Sequence, residues 1–183
     1  MARFHAWREG ADMKLVVVDV EADGPIPGEY SMISFAAVLV DKDLQTSFQA
    51  RLKPISHKWD EKALSISGHT REETLTFPDP ALAMQDFESW LKNHVGSKPV
   101  FVSDNNGFDW MFVCWYFWKF LGRNPFGYSS RRLSDLVCGM EKDLYAPWKG
   151  LRKTPHTHDP LDDARGNAEV LLELHKRGLK GIL

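Results

Sequence analysis

"KLVVVDVEADG", residues 14–24, decides the fold. Its opening run of β-branched residues is the pattern of a central strand covered on both faces. The run leads into Asp19 and Glu21, and Gly24 belongs to the turn chemistry of "EADGPIPGE". Residues two apart on a strand point to the same face, so these two carboxylates project together. Two acids at the end of an apolar strand are costly unless something neutralises them. A hard divalent cation does so with oxygen ligands. The simpler reading is two solvated acids at a strand exit, and D-x-E alone is too common to decide between them.

Outward from this strand the chain alternates. "YSMISFAAVLV" and "TSFQARLKP" flank "DKDLQ" and predict a hairpin. "DEKALSISG" predicts a short helix capped by Asp60 and stopped near Gly68. "DPALAMQDFESWLKNHV" has helical spacing through Leu82, Phe87, Trp90 and Leu91 and ends at Gly96. "PVFVSD" is another short buried strand. "DWMFVCWYFWKFLG" is too apolar for a surface helix and is placed in the core, with Trp110, Trp115, Tyr116, Phe117 and Trp118. "LSDLVCGMEKDL" and "PLDDARGNAEVLLELHKRG" are the last two helices. A strand meander followed by alternating helix, strand and helices indicates an α/β domain with a mixed sheet.

Two further stretches carry acids. Asp109 lies one residue inside the apolar helix, beside Phe108 and Trp110, where a carboxylate needs a partner. Asn105 or Asn106 would cap that helix in the plainer reading. In "HTHDPLDDARGNAE", residues 156–169, Asp159 is a sound N-cap and Pro160 suits the first helical position. Read alone, this stretch is a helix cap.

The joint order is more specific: D-x-E on the first strand, N-x-G-F-D opening a later helix, and H-x-x-x-x-D entering the last one. In this order the chain resembles the DEDD superfamily of 3'-to-5' exonucleases, in its histidine-containing DEDDh branch, from about Lys14 to about Leu174. "SISGHTREET" is similar to the segment these enzymes carry after their third strand. The resemblance implies a ribonuclease-H-like, mixed five-stranded sheet flanked by helices. It implies metal ligands Asp19, Glu21, Asp109 and Asp163, with Asp162 competing for the last place, and His158 as general base. It implies two divalent ions, Mg2+ or Mn2+, serving both ends of a phosphodiester displacement. Its partners would be 3' ends of single-stranded DNA or RNA. An RNA-trimming enzyme and a silent nucleic-acid-binding module are the alternatives, and a homodimer stays open. Two departures stand near the substrate. Ala22-Asp23-Gly24-Pro25 follows D-x-E where many members read Thr-Gly, and Asp104 precedes N-x-G-F-D where many carry His.

Candidate substrate contacts are Gly24, His69, Asn105 and Phe108, together with Arg152 and Lys153 on the basic loop ahead of His158. His5, His57, His94, His156 and His175 show no ligand spacing. Residues 1–13 are expected to be an N-terminal extension and 14–183 the exonuclease domain. With 183 residues, 43% hydrophobic and 26% charged, the chain suits one domain with a real core. A net charge of −2 argues against coating duplex nucleic acid by charge alone. No apolar run is long enough to span a membrane and no signal segment opens the chain. Cys114 and Cys138 follow no metal spacing, so free thiols in a reducing cytoplasm are expected.

Overall fold

In a computed structural model, residues 13–183 are described. The expected extension over 1–13 therefore lies outside the described residues, Met13 apart. The first stretch forms β1 (Lys14–Ala22). β2 (Met32–Leu39) and β3 (Ser47–Arg51) complete an antiparallel meander with it. β4 (Pro99–Ser103) and β5 (Ser130–Arg132) extend the sheet in parallel on the other side of β1, giving the order β3-β2-β1-β4-β5. The sheet is mixed and five-stranded, as expected. β1 is central because both of its faces are apolar. Val16, Val18 and Val20 face one core and Val17 faces the other.

The first core is covered by α3 (Pro80–Trp90) and α4 (Asn106–Leu121), through Met84, Phe87, Phe112, Val113, Tyr116 and Phe117. Burying each such side chain stabilises the fold by about 1.5–3 kcal/mol. The second core is covered by α5 (Leu133–Glu141) and α6 (Pro160–Lys176). The Tyr116 hydroxyl accepts a hydrogen bond from the Met32 amide at 2.8 Å, tying α4 to the start of β2. α4 is less enclosed than its composition predicts. Trp118 is exposed and stacks on the exposed Tyr128. A helix in an outer layer has only one face to bury, so the expected core role of Trp118 is corrected.

α1 (Glu61–Ile66) is capped by Asp60, which accepts from the Ala63 amide at 2.7 Å. α2 (Arg71–Thr74) follows within a capping box between Thr70 and Glu73. The predicted helix over 79–95 is α-helical to Trp90 and then widens into one π turn over Leu91–Val95. Among the described residues no helix is long and apolar enough to cross a membrane. Cys114 and Cys138 are free thiols.

Candidate active site

β1 and β4 run parallel, so α4, which follows β4, begins at the carboxyl end of β1. α6 begins at the same end. Asp109 lies in the first turn of α4 and Asp163 in the first turn of α6, where helix dipoles favour negative charge. The register of β1 against β2 shifts between Glu21 and Ala22. Such bulges re-aim side chains beside sites. Asp19 and Glu21 leave β1 on the face of Val17, toward α6.

Oxygen atoms of Asp19, Glu21 and Asp163 all lie within 4.8 Å of one another. Asp109 stands outside that trio; it is buried, and its charge is felt at Asp19. Burial, then repulsion from Asp109, Asp163 and Glu21, holds the Asp19 carboxyl well above its ordinary range. Burial and the charges of Asp163 and Asp159 push Glu21 up to about 7. Burial pushes Asp109 up to about 8, against hydrogen bonds from the Ser103 hydroxyl and the Val20 amide. These three acids lack enough positive charge around them. Their all-oxygen donor set fits hard divalent cations such as Mg2+ or Mn2+.

Asp163 differs from the other three. Burial raises it, but hydrogen bonds from Arg152 and His156 outweigh that and hold it below its ordinary value. The Arg152 guanidinium meets Asp163 Oδ1 at 2.8 Å, and its side chain is 8% exposed. It lies across α6 at Gly166, where an added Cβ would collide with Arg152 Nε. Glycine at 166 is therefore what lets Arg152 reach Asp163. Asp162, the competitor, turns away and accepts from the Thr157 hydroxyl at 3.1 Å.

His158 stands at φ +62°, in the left-handed region that histidine enters more readily than most residues. Its amide donates to Asp163 Oδ2 at 3.1 Å, and its half-exposed ring has Nδ1 3.9 Å from Glu21 Oε1. The start of α6 thus contains both a cap and a candidate ligand. Asp159 caps α6 through the Leu161 and Asp162 amides, and Asp163 joins the carboxylate cluster. His156 was missed in the sequence. Its Nδ1 lies 2.7 Å from Asp163 Oδ2, and its ring centre is 4.3 Å from that of His158. The H-x-H spacing was the available signal.

The expected substrate contacts divide. Gly24 and Phe108 line a largely apolar cavity beside Glu21, with Ala22, Pro25, Ala63 and Ile66. Gly24 is needed there because the Tyr30 ring fills the place of any Cβ. His69 lines an adjoining cavity with Arg51, Ser67 and His158. Burial and then Arg51 lower its pKa. Asn105 is the exposed N-cap residue of α4 without a capping side-chain bond, and it lines neither cavity. Arg152 is turned inward to Asp163. Lys153 faces a different groove, with Lys42, Glu169 and Lys176. The exposed cations at the site rim are Lys149 and Arg132, whose charges, with those of Arg152 and His156, act on the half-buried Asp104.

Asp23, in the first departure, has a different use. It is fully buried, accepts from the Ser31 amide, and pairs with Arg71 at 2.9 Å. Its own carbonyl accepts from the Asp60 amide at 2.7 Å. Asp23 therefore fastens the α1–α2 segment, which walls both cavities, to the end of β1.

A mixed sheet with a carboxylate cluster at the end of its central strand defines a class, the ribonuclease-H-like nucleases of the DEDD kind. The comparisons agree. Residues 16–171 match the family model described as an exonuclease, RNase_T. The chain is 36% identical over 174 residues to the 3'-5' DNA exonuclease Cap18 of Escherichia coli, across 88% of this chain and 91% of that one. The nuclease domain of 3'hExo, a DEDDh family member seen bound to rAMP, superposes with TM-score 0.71 at 16% identity, over 90% of this chain and 92% of that one. Cell-death related nuclease 4 superposes with TM-score 0.73 at 17% identity, over 91% of this chain and 66% of that one. An E. coli exonuclease I complex with single-stranded DNA superposes with TM-score 0.69 at 19% identity, and this chain spans 41% of its length. The chain belongs to the RNase_T exonuclease family and is a 3'-5' exonuclease of the DEDD superfamily.

Proposed function

We propose that the protein removes nucleotides from the 3' end of single-stranded DNA, with two divalent cations, Mg2+ or Mn2+, and His158 as general base. The observation that carries this is the meeting of Asp19, Glu21 and Asp163 within 4.8 Å, with buried Asp109 close enough to act on Asp19, beside an apolar cavity. Cations held by these acids would supply positive charge for the attacked phosphate and the leaving oxygen. DNA is preferred because the relative matched over 91% of its length is a DNA exonuclease.

The chain's own residues divide the remaining work. His158 receives a proton from the attacking water at an imidazole nitrogen, the usual part of histidine in general-base catalysis. Its half-exposed ring beside Glu21 supports this assignment. Arg152 holds Asp163 in one orientation through Oδ1. Phe108 and Ile66 offer apolar surface to the terminal base, and His69 lies on the far side of Ile66. Lys149, exposed near Asp104, is placed to meet upstream phosphates, whereas Arg132 donates to the Asp104 carbonyl at 3.3 Å and pairs with Asp135.

The test uses matched single strands of DNA and RNA, each labelled at the 5' end, with Mn2+ or Mg2+. The expected result is a descending ladder from DNA, slowed by a blocked 3' end and abolished by chelator. Faster loss of RNA would reassign the substrate. Efficient cutting of closed circles would contradict exonuclease action.

A further inference from the structure

We propose that His156, His158 and Asp163 form a second cation site, suited to a transition metal such as Zn2+, and that zinc held there arrests hydrolysis by occupying His158. The arrest rests on the reading of His158 as base, whereas the site itself does not. One ligand atom from each of these three residues lies within 4.8 Å of the others. Two imidazoles and one carboxylate are the donor set of zinc, copper and nickel sites. The neighbouring trio of Asp19, Glu21 and Asp163 offers oxygen alone and suits hard ions. Two adjoining sites of different chemistry thus share Asp163.

The geometry is close to what zinc needs. Bonds of about 2.0–2.1 Å in a tetrahedral arrangement put ligand atoms roughly 3.3 Å apart. The imidazole side chains are 53% and 50% exposed, so their rings can rotate into that spacing without disturbing the core. Asp163 is already aimed. Its Oδ1 accepts from Arg152 at 2.8 Å and from the Thr157 amide at 3.3 Å. Its Oδ2 accepts from the His158 amide at 3.1 Å and lies 2.7 Å from His156 Nδ1. Three protein ligands leave a fourth position open to solvent. Zinc on the His158 ring removes the nitrogen that the attacking water requires. It also draws on Asp163, which the hydrolytic ions use.

The experiment titrates Zn2+ alone into the full chain against a chromophoric chelator, for wild type, His156→Ala, His156→Cys and Asp19→Asn. Losing groups that merely orient a ligand costs about 10–100-fold in metal affinity, so losing His156 itself is expected to cost on the order of 100-fold. Cysteine at 156 should retain tight binding, and Asp19→Asn should leave it nearly unchanged. In the wild-type protein, one equivalent of zinc should shift the imidazole resonances of His156 and His158 and not those of His57 or His94. At fixed Mn2+, the zinc concentration that halves strand degradation should rise with His156→Ala by about the same factor as the affinity falls. Equal zinc affinity in wild type and His156→Ala would overturn the site. So would loss of binding in Asp19→Asn alone, which would put the zinc in the acidic cluster. Absence of hydrolysis with Mg2+ and Mn2+ would instead defeat the exonuclease reading and leave the titration interpretable.

Discussion

Glu88 on α3 accepts from Arg123 at 2.6 and 2.7 Å and from Lys92 at 2.8 Å, whereas Glu21 at the end of β1 has Asp19 and Asp163 for company. Both carboxyl side chains are well shielded, at 8% and 12% exposed. Arg123 and Lys92 pull Glu88 down to about 2. Burial and neighbouring acids push Glu21 up to about 7. Burial of a carboxylate is thus compatible with this fold wherever the chain supplies its own cations. At the end of β1 it supplies Arg152 to Asp163 and leaves the other acids under-neutralised. A buried acid with its partner in place holds the molecule together. Acids buried without one mark where charge comes from outside.

Substitutions at the two places should therefore fail in opposite ways. Asp109→Asn should lower turnover by on the order of 1,000-fold, as loss of a group that fixes transition-state charge does. It should leave the melting temperature without cations equal to wild type or higher, because a carboxyl whose ionised form is disfavoured by burial and neighbouring acids has gone. A large drop in melting temperature would make Asp109 a structural acid like Glu88. His158→Ala should lower turnover by about 100- to 10,000-fold while the protein still binds Mn2+ by calorimetry. Unchanged turnover would reduce the histidine to part of the loop.

On the structural side, Glu88→Gln should cost about 2 kcal/mol, moderated because Arg123 and Lys92 are solvent-exposed. That corresponds to a fall of roughly 4–8 °C in melting temperature for a domain of this size, with turnover unchanged. The cost also has a pH signature. The folded carboxyl, at about 2, lies below its ordinary 4.5, so the native state binds fewer protons than the unfolded chain between them. The stabilisation is complete above about 4.5 and is lost as pH falls toward about 2. The wild-type advantage over Glu88→Gln should shrink steadily in melts below pH 4.5 and be constant above it. The smallest effect is expected at the rim. Lys149→Ala should raise KM by about 2- to 5-fold and spare kcat, since a phosphate contact holds ground and transition states alike. It should also flatten the salt dependence of single-strand binding by about 0.7 in log–log slope.

Much of this contrast was legible in the chain. The β-branched run before Asp19 predicted a central strand, and Asp60 and Asp159 predicted helix starts that the structure contains. Ser130–Arg132 was not legible as a strand, because three residues with two arginines show no alternation and pair only along the edge of β4. α2 was legible in principle, through the capping box of Thr70 and Glu73, but four residues give no hydrophobic period. The site residues came from the order of three motifs, since each pair alone reads equally well as a cap or a solvated acid. The contact of Arg152 with Asp163 was not legible because its basic neighbours suggest a solvated loop. Only the room above Gly166, a tertiary feature, turns it inward. His156 escaped for the same reason, since its partner Asp163 is seven positions away and is brought near by the turn at His158.

If the end of β1 lacks the cations that the Glu88 cluster already has, bound metal should stabilise it. Thermal melts with and without saturating Mn2+, for wild type, Glu21→Gln and Glu88→Gln, measure this. At 100 times its dissociation constant a ligand stabilises the folded state by about 2.7 kcal/mol, or roughly 5–11 °C here. Wild type and Glu88→Gln should gain that shift equally, although Glu88→Gln starts lower. Glu21→Gln should lose most of it. Equal shifts in all three proteins, or none in wild type, would contradict the claim.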